Sequence, residues 1–103
     1  MKRNFNVVLK DLKGEPIKRD NKEMVLKDIA VDCLMAPEME NGQMKRLNGQ
    51  EHIRRYELAK KIYDAKESVD VDAEEISLIK TVISMNYNTF VAGPALQIIE
   101  EKV

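Results

Sequence analysis

Residues 5–37 read FNVVLKDLKGEPIKRDNKEMVLKDIAVDCLMAP, and the hydrophobic period changes inside this stretch. Phe5, Val7 and Leu9 alternate with Asn6, Val8 and Lys10, the period of a half-buried strand. Gly14 and Pro16 then supply turn chemistry: glycine accepts positive φ, and proline cannot donate to a ladder. Ile17 resumes the extended chain, so a β-hairpin is expected over about 4–19. Asp20-Asn21-Lys22-Glu23 is polar and turn-like. From Met24 the spacing becomes i, i+4, with rows Val25, Ile29, Cys33 and Leu26, Ala30, Leu34. That predicts a helix over about 24–35, stopped by Pro37 because the residue before a proline avoids the α region. A hairpin followed by a helix makes the chain α+β.

Three more helices follow from the same logic. One is expected over 50–66, with Ile53, Tyr56, Ala59, Ile62 and Tyr63 on its inner face and Leu58 widening it. A second spans 73–85, with Ile76, Ile79, Val82 and Ile83 inward, and a last one spans 89–101. Asp72, with Glu75 three residues on, has the form of a capping box. Gly93-Pro94 either kinks the last helix or delays its regular part. Val69 and Val71 point the same way and predict a short third strand at 69–71. Segment 38–49 holds Asn41-Gly42 and Asn48-Gly49 and is the longest expected loop. Its Met39, Met44 and Leu47 can pack back on the core, with the two methionines open to a contact role, and Met35 and Met85 are expected to fill core gaps. The expected architecture is an N-terminal β-hairpin packed against three to four α-helices, with 1–103 forming a single small domain.

Composition limits the function. The chain has 103 residues, 44% apolar and 34% charged, with aromatics at 5%. Scaling gives roughly 6,000 Å² of folded surface, enough for one aliphatic core. The net charge is −1, with one cysteine and one histidine. A Cys/His zinc site is therefore out of reach within one chain, and no disulfide can close internally. No apolar run approaches the ~20 residues of a membrane span, and no secretory signal opens the chain. The expected location is the cytoplasm, with no cofactor and no membrane association.

Near-neutrality conceals an asymmetry: residues 1–61 carry +4 and the rest −5. The basic cluster Lys45, Arg46, Arg54, Arg55, Lys60 and Lys61 raises a nucleic-acid reading, kept as the alternative function. A solvated helix face offset by the acidic half is the simpler account. His52 lacks a positioned partner for general-base work. Cys33 sits on an apolar stripe, where a thiol behaves as a small hydrophobe. Asp70, Asp72, Glu74 and Glu75 lack the glycine and extra oxygens of an EF-hand and read as helix capping. The last two helices expose Gln97, Glu100 and Glu101, which suits no DNA groove. None of these groups forms a catalytic constellation, so no enzyme is expected. Six methionines, and an unprotected edge if strand 5–10 stays uncovered, favour protein contact and self-association into a homo-oligomer. The expected contact residues are Met44, Lys45, Arg46, Arg54 and Arg55.

The order of FNVVLKDLKGEPIKRD, KEMVLKDIAVDCLMA, EHIRRYELAKKIYDA and VDVDAEEISLIKTVISMNYNTFVAGPALQIIEE resembles a group of small proteins encoded by tailed phages and prophages. The resemblance covers nearly the whole chain. Its most telling parts are Leu12-Lys13-Gly14, Arg55-Tyr56-Glu57-Leu58-Ala59 and Ala92-Gly93-Pro94-Ala95. It implies a viral origin and a host-cytoplasmic location, and it assigns no residue a role. The expected function is a non-catalytic interaction protein, either an assembly accessory or chaperone or an inhibitor of host defence.

Overall fold

A computed structural model describes residues 1–101; Lys102 and Val103, at the end of the expected domain, lie outside the described residues. The elements are β1 (Lys2–Asn4), β2 (Lys18–Arg19), β3 (Lys22–Glu23), α1 (Leu26–Met35), β4 (Met39–Glu40), β5 (Gln43–Met44), α2 (Gly49–Asp64), β6 (Ser68–Asp70), α3 (Ala73–Asn86) and α4 (Thr89–Glu100). The fold is α+β, and the helices lie within two residues of the bounds the periodicity predicts. Helix α1 packs against both α2 and α3, and α4 packs on α3.

The hairpin expected over 4–19 forms only around its Asp11–Glu15 turn, where Lys10 and Pro16 make an isolated bridge; β1 pairs with β6 and β2 with β3 instead of with each other. Three segments meet in a closed ring of backbone hydrogen bonds. The Leu9 N–H donates to the Met24 carbonyl (2.8 Å), Met24 N–H to Ile17 (2.8 Å) and Ile17 N–H to Leu9 (2.9 Å). Leu9 and Ile17 are buried at this junction with Phe5 and Leu26. β2 and β3 close a second, tight hairpin over Asp20 and Asn21, both at positive φ (53° and 65°). Two such residues make the turn whose twist matches the flanking strands. Among the described residues, backbone bonds cover segment 5–10 along one edge. Its backbone–backbone bonds all use Phe5, Val7, Leu9 and Asp11, alternate residues on one side: the 15–17 segment meets Leu9 and Asp11, and the Leu26 and Lys27 N–H groups bond to the Val7 and Phe5 carbonyls (2.9 and 2.8 Å). Those bonds also satisfy the first turn of α1, which has no side-chain cap. They explain why α1 starts at Leu26 and not at Met24.

The short strand near 69–71 forms as β6, and its partner is β1, in antiparallel register Arg3 to Val69. Arg3 is 6% exposed, and its Nε donates to the Ile99 carbonyl in the last turn of α4 (2.5 Å). That places a cation at the negative end of the helix dipole. Lys27 does the same for α2, donating to the Tyr63 and Ala65 carbonyls (3.2 and 2.5 Å). The capping box opens α3 as read: Glu75 N–H donates to Asp72 (2.7 Å), and Asp72 N–H to Glu75 (2.9 Å). α4 runs unbroken through Pro94. Gly93 makes this tolerable, since the preceding residue has no Cβ to meet the proline ring.

The core is aliphatic, with Ile29, Leu34, Leu58, Ile62, Ile79, Val82, Ile83 and Ile99 near full burial. Several apolar side chains expected inside are not. Met35 and Met85 are 56% and 46% exposed; Met39 and Met44, open to either a core or a contact role, are 55% and 70% exposed. On α2, Ile53, Tyr56 and Tyr63 also face solvent, and the buried side is Leu58, Ala59 and Ile62. The total surface, 7167 Å², exceeds the ~6,000 Å² of a smooth globule of this mass.

Candidate functional site

The 38–49 segment, read as a loop, contains a hairpin. β4 and β5 pair Met39 with Met44 and Glu40 with Gln43. Asn41 and Gly42 form the turn, both at positive φ (53° and 78°). Such an Asn-Gly turn is the strongest short hairpin signal a sequence carries. The second Asn-Gly acts differently. Asn48 is the N-cap of α2, and its side chain accepts from the Glu51 N–H (2.8 Å).

The hairpin is tied to α2 at its base. The Arg55 guanidinium donates to Glu38 Oε2 at 2.7 Å, and both side chains are largely buried, at 12% and 16% exposure. Lys45 approaches the other oxygen, Oε1, at 3.6 Å. Between the hairpin, the end of α1 and the first half of α2 lies a groove of about 410 Å³. Leu34, Met35, Met44, Leu47 and Tyr56 give it an apolar lining, and Lys45, His52 and Arg55 supply its basic edge.

The five expected contact residues separate here. Met44 and Lys45 lie on the groove, and Arg46 is exposed next to them. Arg55 serves as a strut under the hairpin, with little surface left to offer. Arg54 points away from the groove, toward Glu74 on α3 (3.5 Å). Lys61 likewise meets Glu75 (3.2 Å). Four of the six clustered cations thus already face a carboxylate, which lowers the field available to a phosphate backbone. The sequence pattern missed Met35 and Tyr56, since both lie on stripes that read as core. No known protein family, curated protein or solved structure matches the chain.

The remaining candidates have structural settings. His52 is exposed at the first turn of α2. Cys33 is buried, and burial, helped by the Asp32 charge, pushes its thiol to about 11. A thiol so disfavoured as thiolate is a poor nucleophile. Among the described residues no group of three or more His, Cys, Asp or Glu is placed to hold a metal ion. No described helix is long and apolar enough to cross a membrane. A wider cleft, about 780 Å³, lies between the Asp11–Glu15 turn and α4, with Leu12 and Phe90 exposed along it.

Proposed function

We propose that the chain is a small interaction protein of the phage type, acting by protein–protein contact in the host cytoplasm. It works as an assembly accessory or as an inhibitor of host defence. The observation that carries this reading is the exposed apolar surface around the β4–β5 hairpin, where Met35, Met44 and Tyr56 are each more than half exposed. Clustered apolar exposure of this kind marks contact sites. Tyr and Met are enriched at the centres of interfaces, and Met adapts to irregular partners. Self-association belongs to the same reading, by pairing along the 5–10 edge.

A photocrosslinking amino acid at position 56, compared with one at position 12, tests the reading in a bacterial host. The expected outcome is a discrete protein adduct from position 56, absent from position 12 and lost with Met44→Glu. Equal adducts from both positions, or none, refute it. Nucleic acid is the competing partner. Fluorescence anisotropy with DNA and RNA at two salt concentrations decides this, because phosphate-driven affinity falls steeply as salt rises.

A further inference from the structure

We propose that the groove between the β4–β5 hairpin and α2 receives an acidic amphipathic segment of a partner protein, an inference that rests on the protein-contact reading above. The apolar lining sets the first requirement. Leu34, Met35, Met44, Leu47 and Tyr56 enclose about 410 Å³, room for a few apolar side chains presented at helical or strand spacing.

Charge sets the second requirement. Lys45 and Arg55 line the groove, and Arg46 adjoins it at the end of β5. The one lining carboxylate, Glu38, has both oxygens engaged, Oε2 by Arg55 and Oε1 by Lys45. Among the described residues Arg46 has no carboxylate within 4.0 Å, and the Lys45 side chain is 46% exposed. Glu38 offsets one of the two lining cations, so the group keeps one net positive charge, and the exposed Arg46 adds a second beside the apolar floor. Carboxylates flanking the partner's apolar residues complement it, and lysines there would be repelled.

A second copy of this chain is a poor source of that segment. The carboxylates of its 70–75 stretch already have partners. Asp70 holds the Met1 amino group, Asp72 and Glu75 form the capping box, and Glu74 faces Arg54. Glu100 is paired with Lys80.

Peptide display against the immobilised full chain, followed by anisotropy of the fluorescein-labelled winners, tests the proposal. Enriched peptides are expected to combine spaced apolar residues with two or more Asp or Glu. Their affinity should fall about tenfold or more with Met44→Glu and with the pair Lys45→Glu and Arg46→Glu. It should stay within about twofold with Leu12→Glu. All four positions are exposed, and thermal melts check each variant; because Lys45 faces Glu38 (3.6 Å), Arg46→Glu alone, with a melt matching the parent, is the charge variant that excludes misfolding. No enrichment, a basic or uncharged consensus, or indifference to the groove variants overturns the proposal. So does displacement by single-stranded DNA, or a homodimer broken by Met44→Glu. Peptides that bind a different face remove this groove while the protein-contact reading stands. Loss of the position-56 crosslink removes that reading itself.

Discussion

Removing the Glu38 carboxylate tests how the hairpin is held. Two charges about 4 Å apart attract by about 4 kcal/mol at an effective dielectric of 20. The Arg55–Glu38 contact, 2.7 Å between heavy atoms, is of this kind. Ordering a long arginine costs up to about 2 kcal/mol of rotamer entropy. Exposures of 12% and 16% add a desolvation penalty but keep solvent screening small. The net coupling should therefore be about 1–2 kcal/mol, above the 0.2–1 of an exposed pair. Lys45, 46% exposed at 3.6 Å, adds a few tenths at most. A double-mutant cycle with Glu38→Gln and Arg55→Met isolates the term by urea denaturation. Each single variant should lose more than the double variant loses beyond its partner, since each strands one group of the pair. The coupling should persist in molar salt, because a largely buried pair is weakly screened. Amide exchange across residues 39–45 should accelerate in Glu38→Gln as the hairpin loosens. A coupling below about 0.3 kcal/mol, with unchanged exchange across 39–45, refutes the strut.

Two further predictions concern the core. Cys33 has its thiol pushed from 9.0 to about 11 in the fold. The unfolded chain ionises first, so this contribution is complete below about pH 9 and lost as pH rises to about 11. At most about 2–3 kcal/mol is involved, and Cys33→Ala should show a flatter decline of stability between pH 8.5 and 11; parallel declines contradict the burial argument. Arg3→Met keeps the packed stem but removes both donors, to Ile99 and to Lys2 (2.5 and 2.9 Å). A loss of about 2 kcal/mol is expected from charge-assisted bonds, read as a lower urea midpoint at constant m; an unchanged midpoint rules that role out.

Local chemistry made much of the fold legible. The Asp72–Glu75 box, the Ile76–Ile79–Val82–Ile83 stripe and the stop at Pro37 depend on residues a few positions apart, and all three form as read. The β1–β6 pairing joins Arg3 to Val69, and no local pattern announces a contact across that much chain. The two Asn-Gly pairs show the limit of a dipeptide signal. Asn41-Gly42 is flanked by residues that extend and pair, and it turns. Asn48-Gly49 is followed by Gln50 and Glu51, and the Glu51 N–H gives the asparagine side chain a cap to make. The α2 misreading has a different cause. Its apolar residues outnumber the positions one buried arc can take. Leu58, Ala59 and Ile62 occupy that arc beside the Arg55 stem, leaving Tyr56 and Tyr63 flanking it and Ile53 outside.

That surplus bears on the site. Pro37 ends α1 at the point where its apolar stripe reaches Met35, and the chain leaves the core. β4 and β5 then pair Met39 with Met44 across a two-residue turn, away from α3 and α4. Apolar burial does little to hold this hairpin, since its methionines are exposed. Among the described residues its side-chain tie to α2 is Glu38 on Arg55. An element held by one charge pair at its base opens more readily than one held by a packed face, since few buried contacts resist it. The width of the groove beside Tyr56 is therefore set by the same contact that neutralises Arg55. Loosening the strut should widen the groove and strip Arg55 of its one counter-charge together. Glu38→Gln should then strengthen the attraction for an acidic segment while weakening the order of the site that receives it. The balance between the two is read directly by comparing on-rates, which follow charge, with off-rates, which follow fit.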